Sequence, residues 1–129
     1  MSNNNFAPDG FNFVQESHGI NEYNLKSNGL RVLTLSDRSA PVATFMVTYH
    51  VGSRNEAIGY TGSTHLLEHL MFKGSRNYNK EKGTAIWDEL QSIGAQINAT
   101  TWNDRTNYFE VVPSEHLEKA IAIESDRMR

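Results

Sequence analysis

Residues 51–75 read VGSRNEAIGYTGSTHLLEHLMFKGS. The first half, as far as Gly62, carries three glycines and no repeating apolar pattern, which predicts a loop. Thr61 or Ser63 stands where it can cap a helix running on to about Phe72. On that helix His65, Glu68 and His69 occupy positions i, i+3 and i+4 and so project to one side, leaving Leu66, Leu67, Leu70 and Met71 to pack into a core. Two imidazoles one turn apart can ligate a single Zn²⁺, and a carboxylate beside them can take a proton from water activated there. The plain alternative is an amphipathic helix whose two histidines are structural. Context weighs against it, because the motif follows a buried strand and a glycine-rich loop and opens at a helix start. A metal site needs such a rigid mount.

Upstream, PVATFMVTYHV (41–51) is rich in β-branched and aromatic residues, and residues 42–51 are expected to form the most buried strand. Before it, INEYNLKSNGLRVLTLSD predicts a hairpin: a strand near 22–26, a turn at Ser27-Asn28-Gly29 where Asn-Gly supplies positive φ, and a strand over 30–35. Residues 1–19 are polar and are expected to be a flexible lead-in, with the domain proper over 20–129. Downstream, 81–93 suits a helix with Ile86, Leu90 and Ile93 on one side and Gly94 beyond its end. Strands AQINATTW and TNYFEVV follow, joined through Asn103-Asp104-Arg105 and stopped by Pro113. Ser114 is placed to cap a last helix with Leu117, Ala120, Ile121 and Met128 as its apolar stripe. That helix is still running at Arg129, so the chain is expected to be a piece of something longer. The fold class is therefore α+β: an antiparallel-rich sheet with helices packed on one face.

With 129 residues, 38% hydrophobic and 21% charged, the chain has the makings of one globular domain rather than a disordered segment. A net charge of −3 without a basic patch interleaved with aromatics gives no nucleic-acid footprint. No apolar run reaches the roughly eighteen residues of a membrane span. The start lacks the basic and apolar regions of a secretory signal, which leaves the compartment open, since a removed signal leaves no trace. With no cysteine, metal chemistry is confined to His, Asp and Glu. His18, His50 and His116 read as structural or solvated, and Trp87 and Trp102 as core or surface aromatics rather than substrate clamps.

The stretch quoted above, with the helix end SIGAQINATT, the strand TNYFEVV and the closing ESDRMR, resembles in order and spacing the pitrilysin/insulinase superfamily of zinc peptidases, whose H-x-x-E-H inverts the thermolysin order. The resemblance covers about residues 20–129. It implies a mitochondrial-processing-peptidase-like metallohydrolase half, here its front part, and an endopeptidase acting on peptides or unfolded segments. It implies that His65 and His69 ligate zinc, that Glu68 is the general base, and that the Asn98-Ala99 pair lies on an edge strand holding the substrate backbone. The third ligand it implies is a glutamate near position 145; Glu110, Glu115, Glu118 and Glu124 all have the wrong spacing. Glu124 reads as a charge satisfied by Arg127. The isolated chain is thus expected to bind zinc weakly and hydrolyse little, its partners being a peptide substrate and the remainder of the protein or a homologous half. The rival is a catalytically silent scaffold or regulatory subunit, which has no need of Glu68; a weaker third is a non-peptidase zinc hydrolase, which has no use for Asn98-Ala99.

Overall fold

A computed structural model describes residues 7–128. The chain divides into two compact units, Met1–Ala40 and Pro41–Arg129.

In the first unit, β1 (Phe11–Ser17), β2 (Ile20–Leu25) and β3 (Arg31–Leu35) form an antiparallel sheet in that order. Polarity assigns 11–17 to a flexible lead-in, yet these residues form a strand, because Phe11 and Phe13 set their rings edge-on to Tyr23 at 6.4 and 5.7 Å. Residues 1–6 of that lead-in lie outside the described residues. The predicted hairpin forms as β2–β3. Of its Asn-Gly pair only Gly29 takes positive φ (74°), while the Asn28 side chain accepts a hydrogen bond from the Leu30 N–H at 3.0 Å.

In the second unit, β4 (Val42–Tyr49), β5 (Gln96–Thr101) and β6 (Thr106–Pro113) form an antiparallel sheet in the order β4-β6-β5. The expectation that residues 42–51 are the most buried strand fails. β4 lies at an edge with every second residue exposed, whereas β6 is flanked on both sides and buries Thr106, Tyr108, Glu110 and Val112 on one face. Position in the sheet outweighs local hydrophobicity. Cross-strand register puts Phe45 and Ile97 beside Glu110, and Val47 and Ala99 beside Tyr108.

Helices α1 (Ser63–Leu70), α2 (Ile86–Gln91) and α3 (Leu117–Arg127) pack on this sheet, α1 and α2 against β5 and α3 against β4 and β6. The second helix is shorter than the predicted 81–93. Asn79 instead caps a 3₁₀ turn at Lys80–Lys82, which Gly83 ends in the left-handed region. The predicted apolar side holds: Ile86 and Leu90 are fully buried, join Ile123 in the core, and have Ile93 packed against them. Gly94 follows with φ 76°, and the Ala95 N–H reaches back to the Leu90 carbonyl at 3.0 Å.

On α3 the predicted stripe is displaced. Ala120 is buried as expected, but Ile121 and Met128 are exposed, and the other buried residues are Ile123, Glu124, Asp126 and Arg127. Ser114 caps nothing through its side chain; it opens a 3₁₀ turn instead. Two of these buried charges are tolerated because they meet one another: Arg127 donates to the Glu124 carboxylate, as the sequence predicts for that pair, and spreads its guanidinium over the rings of Phe72 (4.8 Å) and Tyr108 (4.4 Å).

Candidate metal centre and active site

The site is built from the loop upward. Gly52 packs so tightly on the β5–β6 turn that a Cβ there would sit 2.2 Å from the Trp102 carbonyl oxygen. The Ser53 and Arg54 N–H groups donate to the carbonyls of Trp102 (3.0 Å) and Asn103 (2.9 Å), and the Asn55 side chain accepts from the Gly52 N–H (3.1 Å). This clamp fixes Glu56 beneath the start of α1, where its carboxylate accepts from Gly62 N–H (2.8 Å), from Thr64 N–H (2.9 Å) and from the Thr64 hydroxyl. Glu56 therefore does the capping expected of Thr61 or Ser63, neither of which caps by its side chain. The Thr64 hydroxyl and then the backbone donors hold its pKa below the usual carboxylate value.

The Nε2 atoms of His65 and His69 lie 3.2 Å apart, their ring centroids 4.7 Å apart. Two nitrogens bound tetrahedrally to one zinc at about 2.0–2.1 Å stand about 3.3–3.4 Å apart, so the pair already has the separation of two ligands to one ion. Both rings are exposed and reachable. Glu68 does not share their stripe: it is turned about 60° from His65 around the helix. It is buried against the sheet, where the Thr101 hydroxyl of β5 donates to its Oε2. Among the described residues no third His, Asp or Glu joins the histidines. The residues present thus fit two of a zinc ion's ligands.

The leucines expected in the core are not there. Leu66, Leu67 and Leu70 are 59%, 54% and 50% exposed, because the face of α1 toward β5 is Thr64, Glu68 and Met71. A hydrophobic run identified the helix but not its buried side.

Asn98 and Ala99 lie on β5, which pairs only with β6 among the described strands and so leaves one edge open. The Ala99 N–H is taken by the Asn98 side chain, Oδ1, at 2.8 Å. An antiparallel strand alternates ladder and outward amides, so this donor faces the open edge. The residues that composition and motif reasoning passed over are Glu56 and Thr101, which orient the helix and its acid. Glu56 carries a trace in the quoted stretch, but Thr101 meets Glu68 only through strand pairing. A cleft of about 310 Å³ adjoins His65, between the start of α1, the 53–56 loop and the Thr101–Asn103 turn.

The sequence model of the insulinase family, peptidase family M16, matches residues 31–129. An uncharacterized zinc protease of Streptomyces coelicolor is 35% identical over 89% of this chain and 25% of its own length. Subunit 1 of the human mitochondrial cytochrome b-c1 complex is 37% identical over 88% of the chain and 22% of its own. Human insulin-degrading enzyme is 33% identical over 74% of the chain and 9% of its own. Among solved structures, pitrilysin superposes with a TM-score of 0.79 at 27% identity, over 92% of this chain and 13% of that one. The chain thus spans a quarter or less of the length of these relatives.

Proposed function

Because the chain belongs to the insulinase family, peptidase family M16, we propose that it is the front part of a zinc-dependent endopeptidase that cleaves peptides or unfolded segments. The observation that carries this reading is the 3.2 Å Nε2–Nε2 separation of His65 and His69 beside a buried, hydroxyl-held Glu68.

His65 and His69 would hold the metal through Nε2, which requires both nitrogens unprotonated. Zinc, when bound, supplies Lewis acidity to the scissile carbonyl and to water. Glu68 is the general base: with Oε2 held by Thr101, Oε1 is left to take the proton of the attacking water and pass it to the departing amine nitrogen. The open edge of β5 receives the substrate as an added strand, Ala99 N–H exchanging the Asn98 side chain for a substrate carbonyl, which frees Asn98 to accept from a substrate amide. Backbone recognition of this kind selects extended segments of varied sequence. The remaining ligand, and closure over the substrate, belong to a further segment or a homologous half.

Likeness to a cytochrome b-c1 complex subunit favours a second reading, a silent member of an assembly. The presence of Glu68, buried beside the histidines, supports the first reading, since a scaffold gains nothing from burying it. In the protein carrying all three ligands, elemental analysis is expected to give one zinc per site, lost in His65→Ala. Glu68→Gln is expected to keep the zinc and lower cleavage of a quenched peptide by about a hundredfold or more. Cleavage unchanged in Glu68→Gln would remove the general-base assignment; zinc retained in His65→Ala would remove the metal centre.

A further inference from the structure

We propose that Glu110 and Glu124 share one proton and, as a pair with a single negative charge, hold Arg127 where it ties the end of α1 to the sheet, making Arg127 a positioning residue for Glu68. Its role toward Glu68 rests on the peptidase reading; the shared proton does not.

Three ionisable side chains meet between α3 and β6 almost without access to water: Glu110 and Glu124 are 0% and 1% exposed, and Arg127 is buried. Arg127 donates to Oε1 of Glu124. Both oxygens of Glu110 and Oε2 of Glu124 have no donor among the described residues. Across the strands Glu110 faces Phe45 on β4 and Ile97 on β5, which have none to give, and the titratable groups acting on it are Glu124 and Arg127, both from α3. Two carboxylates against one guanidinium would leave an uncompensated charge in the core. One proton removes it, because a protonated Glu110 can donate to Glu124 and the cluster becomes neutral. Burial first, then the hydrogen bond and charge of Glu124, opposed by Arg127, push Glu110 up to about 9, so the proton stays at neutral pH.

Held in this way, the guanidinium lies 4.8 Å from the ring centroid of Phe72 and 4.4 Å from that of Tyr108, and those rings are 5.9 Å apart. Phe72 stands four residues after Glu68, just past the end of α1. Tyr108 pairs across the strands with Ala99, two residues from the Thr101 that holds Glu68, and it feels the Glu68 charge. Arg127 thus joins the helix that carries the acid to the sheet that orients it.

The test uses the protein carrying all three ligands. Infrared spectra in deuterated water at neutral pH are expected to show a protonated-carboxyl band that Glu110→Gln removes. A band that is absent, or that survives the substitution, overturns the shared proton. The Gln amide donates to Glu124 at any pH, so the parent's kcat is expected to fall relative to that of Glu110→Gln by about twofold near pH 9 and further above it. A constant ratio overturns the link from the proton to the site. Arg127→Met combined with Glu124→Gln removes the ion pair without stranding a charge, and Phe72→Leu removes one ring with every charge kept. Both are expected to keep zinc and KM and to lower kcat about tenfold. An unchanged kcat per bound zinc in Phe72→Leu, or in the double variant where it folds, overturns the positioning role. A parent that cleaves nothing while the band behaves as expected removes the peptidase and Arg127's role toward Glu68, and leaves the shared proton.

Discussion

Replacing Gly52 by alanine tests the joint on which the site is mounted. The backbone at Gly52 is extended, with φ −154° and ψ −166°, so any residue can adopt it and the demand for glycine is purely steric. The added Cβ would meet Trp102 O at 2.2 Å and Asn103 C and O at 2.6 and 2.7 Å, all backbone atoms that no rotamer change can move aside. The loop and the turn must separate, weakening the Ser53–Trp102 and Arg54–Asn103 bonds. Overpacking costs about 1–3 kcal/mol, and each lost hydrogen bond about 0.5–1.5 kcal/mol. A destabilisation of about 2–5 kcal/mol is expected, a large part of the stability of a domain this size. Urea unfolding followed by circular dichroism measures it, with Gly29→Ala as the comparison. Gly29 has open space around it and φ 74°, so its cost is conformational and about 1 kcal/mol. A Gly52→Ala loss below about 0.5 kcal/mol, or one no larger than that of Gly29→Ala, would refute the reasoning.

Other outcomes follow from the same geometry. Burial first, then the hydrogen bond and charge of Glu124, opposed by Arg127, push Glu110 from 4.5 up to about 9. The folded protein therefore holds a proton that the unfolded chain releases, so stability falls as pH rises through this window by up to about 1.4 kcal/mol per unit. Glu110→Gln is expected to flatten that slope in urea titrations at several pH values, and parallel slopes would contradict the assignment. Glu56, whose pKa is lowered, behaves oppositely: its stabilisation is present above 4.5 and is lost as pH falls through the folded value. The stability gap between the parent and Glu56→Gln should accordingly close in acid, and a gap that widens there would exclude the cap. Thr101→Val is expected to lower kcat about tenfold or more with KM little changed, and Thr101→Ser to restore it; equal effects of both substitutions on KM alone would assign Thr101 to binding instead.

The approach of His65 to His69 was readable without coordinates because helix geometry is local: residues four apart meet whatever the rest of the chain does. The α+β class, the β2–β3 and β5–β6 hairpins and the Ile86–Leu90 side of α2 follow from equally local patterns of period and turn chemistry. Which face of each element meets the sheet is not local. Leu66, Leu67 and Leu70 stay exposed while Glu68 is buried, and α3 hides Glu124 and Arg127 instead of Ile121 and Met128, since charges that neutralise one another against aromatic rings can occupy a face that hydropathy assigns elsewhere. Strand order likewise made β6 the buried centre and, among the described strands, left β5 with an open edge. Only the folded chain brings Thr101 to Glu68, 33 positions away, and seats Gly52 on Trp102. Local periodicity supplied the candidate groups, and long-range pairing decided how they are aimed.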